Sequence, residues 1–253
     1  MTAFRDRLYL STTAEDAPEL AREHGLGLEI AEYCTASNMD DAFPDTDRRV
    51  CAAMKGIRRF IFHAPYNELC PAAIDPRARS LALDRYRQAG ELAAAYGIGT
   101  MVVHSGFIPL VYHPDWFIPR SVAFWRELLT QLPREISLCL ENVMEPGPDM
   151  LLQIVREVDD PRFRLCLDVG HANTRVSSVP VRDWIPENAP FLSHVHLHNN
   201  DGDMDLHRCL GDGVLDMEEI LELLDRFCPE ATCTIENMTA ADSVRWLGEH
   251  GYL

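Results

Sequence analysis

The sequence predicts a single (β/α)8 barrel over residues 1–253, and three observations predict it. Short β-rich runs alternate with longer helical stretches eight times along the chain. The length is that of one such barrel, typically about 250 residues. No linker, low-complexity stretch or shift in composition divides the chain, and the first strand-to-turn stretch, "LYLSTTAED", lacks the glycine-rich turn that would announce an open doubly wound sheet.

The strands are read in order from β-branched and apolar runs bounded by turn residues. They are "RLYLST" (7–12), "LGLEIAEYC" (26–34), "RRFIFHAPY" (58–66), "TMVVHSG" (100–106), "SLCLENV" (137–143), "FRLCLDVGHA" (163–172), "LSHVHLHNN" (192–200) and "ATCTIEN" (231–237). Between them lie helical patterns. The clearest is "PRARSLALDRYRQAGELAAAYG" (76–97), with proline near its start and glycine at its end. "WFIPRSVAFWRELLTQLP" and "MEEILELLDRF" read the same way, and "TAADSVRWLGEHGYL" is the last helix.

Composition narrows the partners. Hydrophobic residues make up 47% and charged residues 25%, ordinary for a soluble globular protein with a sizeable core. The net charge of −17 opposes extended contact with nucleic-acid phosphates or anionic lipid, so neither nucleic acid nor membrane is expected as a partner. The stretch "MTAFRDRLYLSTTAEDA" has no apolar signal segment, and no run approaches transmembrane length. The eight cysteines form no CxxC pair, which fits reduced thiols and a cytoplasmic location. Lys55 is the only lysine and is read as helical, which argues against Schiff-base chemistry.

In a (β/α)8 barrel the chemistry sits at the C-terminal ends of the strands. From the third strand on, each one ends in a metal-ligand residue type: His63, His104, Glu141, Asp168 with His171, His196, and Glu236. The loop after the seventh strand adds Asp205 and His207, within "HVHLHNNDGDMDLHRCLGDG". Taken singly, a buried histidine is more often a hydrogen-bonded core residue than a ligand. Their joint placement at one end of one barrel is what points to a divalent cation, because uncompensated carboxylates after apolar runs are costly. Alternation puts Cys139 and Cys166 on the faces of Glu141 and Asp168, one layer lower, where they read as small core residues. His194 is placed in a lower layer than His196, and His198 at the rim.

At these residues the chain resembles the xylose isomerase-like TIM barrels, a superfamily of sugar isomerases and epimerases that also holds the endonuclease IV group of apurinic-site nucleases. The resemblance runs from "FHAPY" to "IEN" and rests on "HAPY", "HSG", "LEN", "LDVGHA", "HVHLHNNDG" and "DLHRCLGDG". It implies a single-metal set of Glu141, Asp168, His196 and Glu236, as in the sugar-epimerase branch. The three-zinc set of the nuclease branch is matched further by His63, His104, His171, Asp205 and His207.

Two mechanisms follow. In the first, Zn, Mn or Co serves a sugar or sugar-phosphate isomerase or epimerase, with Glu141 and Glu236 moving a proton and His171 orienting a hydroxyl. In the second, a zinc hydrolase with up to three ions cleaves a phosphoester. One dication among Glu141, Asp168 and Glu236 leaves the site at about −1, suited to a neutral sugar, whereas three among four carboxylates leave it at about +2, suited to phosphate. The acidic surface favours the isomerase. Arg175 and Arg208 are candidates to grip a phosphate, Asn142 and Tyr66 to meet substrate, and Trp116 to wall the mouth or pack a helix. A homo-oligomer is compatible with all of this.

Overall fold

A computed structural model describes residues 4–253. Eight parallel strands follow one another around a closed barrel, and the first pairs with the last. They are β1 (Leu8–Ser11), β2 (Gly27–Ile30), β3 (Phe60–His63), β4 (Thr100–His104), β5 (Ser137–Glu141), β6 (Phe163–Asp168), β7 (Leu192–Leu197) and β8 (Thr232–Ile235). The helices are α1 (Ala17–His24), α2 (Phe43–Met54), α3 (Pro76–Ala95), α4 (Pro114–Gln131), α5 (Asp149–Val158), α6 (Val181–Asn188), α7 (Met217–Phe227) and α8 (Ala241–Glu249). Every strand lies inside the run that predicts it. Lys55 departs from its reading, since it follows the last residue of α2 instead of lying within the helix.

Local chemistry explains the boundaries. The Asp75 carboxylate accepts from the backbone N–H of Arg77 and Pro76 opens α3, satisfying its first orphan donors. Asp216 does the same for α7 by accepting from Glu219 N–H. Met217, Ile220, Leu221 and Leu224 then recur at helical spacing and are buried.

Strand alternation sorts the core into two parts. Leu138, Leu140, Leu165, Leu167, Val195 and Leu197 point outward and pack in the large cluster beneath the helices. Each such side chain contributes about 1.5–3 kcal/mol by leaving water. The inward positions of the lower barrel form a small separate cluster of Tyr9, Ile61, Val102, Cys139 and Cys166. Gly27 makes room for it, because a Cβ there would overlap the Tyr9 ring. One layer higher the inward residues become His63, His104, Glu141, Asp168 and His196, buried or nearly so, while the buried Glu29 stays level with Ile61. Parallel register aligns them, pairing His104 with Glu141, and Asp168 with His196 and then Thr234. Among the described residues no helix is long and apolar enough to cross a membrane.

Candidate metal centre

One imidazole nitrogen lies at the middle of the upper layer. His196 Nδ1 is 3.1 Å from Glu141 Oε1, 3.2 Å from Glu236 Oε2 and 3.7 Å from Asp168 Oδ2. The four residues of the inner set therefore come together. Burial pushes the carboxyls of Glu141, Asp168 and Glu236 up, but the surrounding imidazoles overcome it and hold all three below the usual carboxylate range.

Two further groups flank this centre. On one side, His104 Nε2 and His63 Nε2 lie 3.1 and 3.4 Å from Glu141 Oε2. The Tyr66 ring stacks on His104 at 4.2 Å. On the other side, Asp205 Oδ2 lies 3.2 Å from His171 Nε2 and 3.1 Å from His207 Nε2. The loop carrying Asp205 and His207 is tied down by the Asn199 side chain, which donates to Leu210 and Leu215 carbonyls and accepts from Leu215 N–H. Asn237 fixes the same loop by donating to His207 and Arg208 carbonyls. His207 itself has φ +46°, a left-handed conformation unusual for a histidine, held by contact of its Nδ1 with Glu236 O at 2.9 Å.

The donor set fits a divalent cation. Glu141 Oε2 is buried without a properly aligned hydrogen bond, although two imidazole nitrogens come within 3.4 Å of it. Buried oxygen and nitrogen donors that converge without pairing are what a coordinated ion leaves behind. Donor atoms of His63, His104 and Glu141 lie within 4.8 Å of one another, as do those of His171, Asp205 and His207, and those of His198, His207 and Glu236.

Several readings from the sequence need correction. His198 is not at an open rim. It is fully buried, its Nε2 lies 2.9 and 3.1 Å from the two Asp168 oxygens, and its ring stacks on His207 at 4.1 Å. The seventh strand, through His196, and the residue just past its end, His198, thus bring two imidazoles to the carboxylates. Asn142 is not free to meet substrate, because its amide donates to Asp168 O and accepts from Asp168 N–H, bridging β5 and β6. Arg175 does not line the mouth. Its side chain is 72% exposed and ion-paired with Asp203. Arg208 is held by backbone pairing with Asn199 and is also absent from the lining. Trp116 stacks with Tyr112 and lies under Arg120, a packing role. Tyr66 does line the mouth cavity of about 310 Å³, along with His63, His104, Glu141, Val143, Met144, His171, Asp205, His207 and Glu236.

Sequence reasoning missed Glu29, buried beneath the centre and bonded to both His194 and His196. A signal was available, since an acid inside the apolar run "LGLEIA" must find a partner.

Residues 5–250 match the xylose isomerase-like TIM barrel family. The chain belongs to this family. An uncharacterized protein of Methanocaldococcus jannaschii is 29% identical over 195 residues, 73% of this chain and 66% of that relative, so the matched stretch falls just short of two thirds of its length. A solved D-tagatose 3-epimerase-like protein is 25% identical, with a TM-score of 0.77 over 97% of this chain and 96% of its own. A structure of a Thermus thermophilus protein soaked with ZnCl2 is 27% identical, with a TM-score of 0.73 over 96% and 97%. The family barrel is shared with further sugar epimerases at lower identity.

Proposed function

We propose that the chain is a divalent-metal-dependent isomerase or epimerase of a sugar or sugar phosphate, acting as a one-domain cytoplasmic protein without nucleic-acid or membrane partners. One observation carries the reading. The mouth cavity is lined by Glu141 and Glu236 together with histidines and by no arginine or lysine, which suits a neutral polyhydroxy compound better than a polyanion. A cation would be held by Glu141, Asp168, Glu236 and an imidazole of His196 or His198, and when bound it supplies positive charge opposite a developing oxyanion. Zn, Mn and Co all suit this mixed oxygen and nitrogen set.

The chain's own residues do the rest. Glu141 and Glu236 flank one point and are placed to take a proton from a substrate carbon and return it to a neighbouring carbon or to the opposite face. His171, braced by Asp205, is placed to hold a substrate hydroxyl. Tyr66, Val143 and Met144 form the apolar side of the cavity.

A second reading, a zinc phosphoester hydrolase, is favoured by the two flanking donor groups, which offer sites for a second and third ion. The deciding experiment quantifies metal in protein purified without added metal, then assays it twice. With a panel of ketoses in D2O, the isomerase incorporates solvent deuterium at the reacting carbon and carries about one equivalent of metal. About three equivalents of zinc, hydrolysis of bis(p-nitrophenyl) phosphate and no deuterium incorporation would replace the first reading with the second.

A further inference from the structure

Beneath the centre lies a second polar layer that the proposed reaction does not use. Glu29, on β2, is 1% exposed. Its Oε2 is 3.0 Å from His194 Nε2 and 2.5 Å from the Thr234 hydroxyl, and its Oε1 is 3.0 Å from His196 Nε2. Its partners come from β7 and β8, well round the barrel from β2. Its two oxygens thus sit within hydrogen-bond distance of two imidazole nitrogens and one hydroxyl. The Thr234 hydroxyl already donates to Oε2, and a carboxylate in this position accepts from both imidazoles, which places hydrogen on each Nε2. His194 is then complete, since its Nδ1 lies 2.7 Å from the Thr232 hydroxyl. His196 is not complete. With Nε2–H committed to Glu29, its Nδ1 is the only nitrogen left, and it faces Glu141 and Glu236.

We propose that Glu29 is a positioning residue of the mouth: by accepting the Nε2–H of His196 it fixes that imidazole's tautomer and rotation, so that Nδ1 is presented to the point shared by Glu141 and Glu236. This rests on the metal-centre reading above. A ligand imidazole whose other nitrogen donates to a buried carboxylate is oriented in advance, and loss of such a partner lowers metal affinity about 10–100-fold.

The test uses zinc alone as the probe, on the whole metal-stripped chain. Glu29→Leu removes both acceptor oxygens, and Glu29→Gln keeps one. Ile61→Ala opens the same barrel interior from the register partner of Glu29 while leaving both Glu29 oxygens in place. Calorimetric titration is expected to show zinc affinity about 10–100-fold weaker in Glu29→Leu, a smaller loss in Glu29→Gln, and unchanged affinity in Ile61→Ala despite its lower thermal stability. Long-range 1H–15N correlations of histidine-labelled protein are expected to show hydrogen on His196 Nε2 in the wild type. Wild-type zinc affinity in Glu29→Leu, or a wild-type His196 with Nε2 bare, overturns the proposal. Should Glu29→Leu not fold, Glu29→Gln and the ring spectra still decide it. Glu141→Ala separates the two levels of argument: if it too binds zinc like the wild type, the metal-centre reading fails, whereas loss of zinc there with retention in Glu29→Leu sinks only the role of Glu29.

Discussion

Gly170→Ala adds one methyl group at a backbone position that alanine accepts. Gly170 has φ −72° and ψ −45°, the right-handed helical region, so the substitution brings no conformational strain of its own. The added Cβ would nevertheless fall within 3.0 Å of Cε1, Nδ1 and Nε2 of the His198 ring. Neither side can retreat easily. Asn200 Nδ2 donates to Gly170 O at 2.8 Å, and His171 N donates to Asp168 Oδ1 at 2.7 Å, pinning the turn on both sides. His198 is fully buried against the loop that carries His207. Overpacking of this kind costs about 1–3 kcal/mol. In a chain of this size 1 kcal/mol moves Tm by about 2–4 °C, so Tm should fall by about 2–12 °C. The displaced ring also gives up its place beside Asp168, and zinc affinity should weaken by about tenfold. Thermal denaturation in chelator and calorimetric zinc titration measure the two effects separately. Gly97→Ala is the control: with φ +73° and nothing within 4 Å of the added Cβ, it should cost about 1–2 kcal/mol in left-handed strain and leave zinc binding alone. A Gly170→Ala protein with the wild-type Tm and zinc affinity would refute the packing argument and remove His198 from the centre.

The remaining predictions concern the metal, the surface and pH. Zinc at a hundredfold excess over its Kd should stabilise the stripped protein by about 2.7 kcal/mol, read as a rise in Tm, and the absence of any rise would count against the centre. Arg175→Ala should change stability by less than about 0.5 kcal/mol and leave turnover unchanged, since that side chain pairs with Asp203 at the surface; a large rise in KM would restore it as a substrate residue. Burial lowers the His207 imidazole, but Asp205, Glu236 and Asp168 raise it to about 9, above its ordinary value near 6.5. Its contribution to the metal-free protein is therefore complete below about pH 6.5 and lost as pH rises through about 9. Stability of the stripped protein should decline across that window, and His207→Asn should flatten the decline. An equally steep decline in the variant would assign it to other groups.

Much of the site was legible because a barrel strand is short and its end is marked. An apolar run that stops at a histidine or carboxylate announces both the strand and the residue at its mouth, as at His63, His104, Glu141 and Asp168. His198 was misread because the alternation of β7 was extended past Leu197, where the strand ends. The chain instead turns back through the Asn199–Arg208 bridge, and the loop it forms buries the ring. Asn142 and Arg175 have the residue types that meet substrates, and nothing local says that one is spent on the Asp168 backbone and the other on Asp203.

The sequence by itself determined the period of the strands, the helices between them, and the kinds of side chain delivered to one end of the barrel, since those depend on alternation and capping within a few residues. Only closure of the barrel decided which donors face one another. Glu29 meets His196 across 167 positions of chain, and such a pairing is set by register and curvature around the whole ring, which no local stretch encodes.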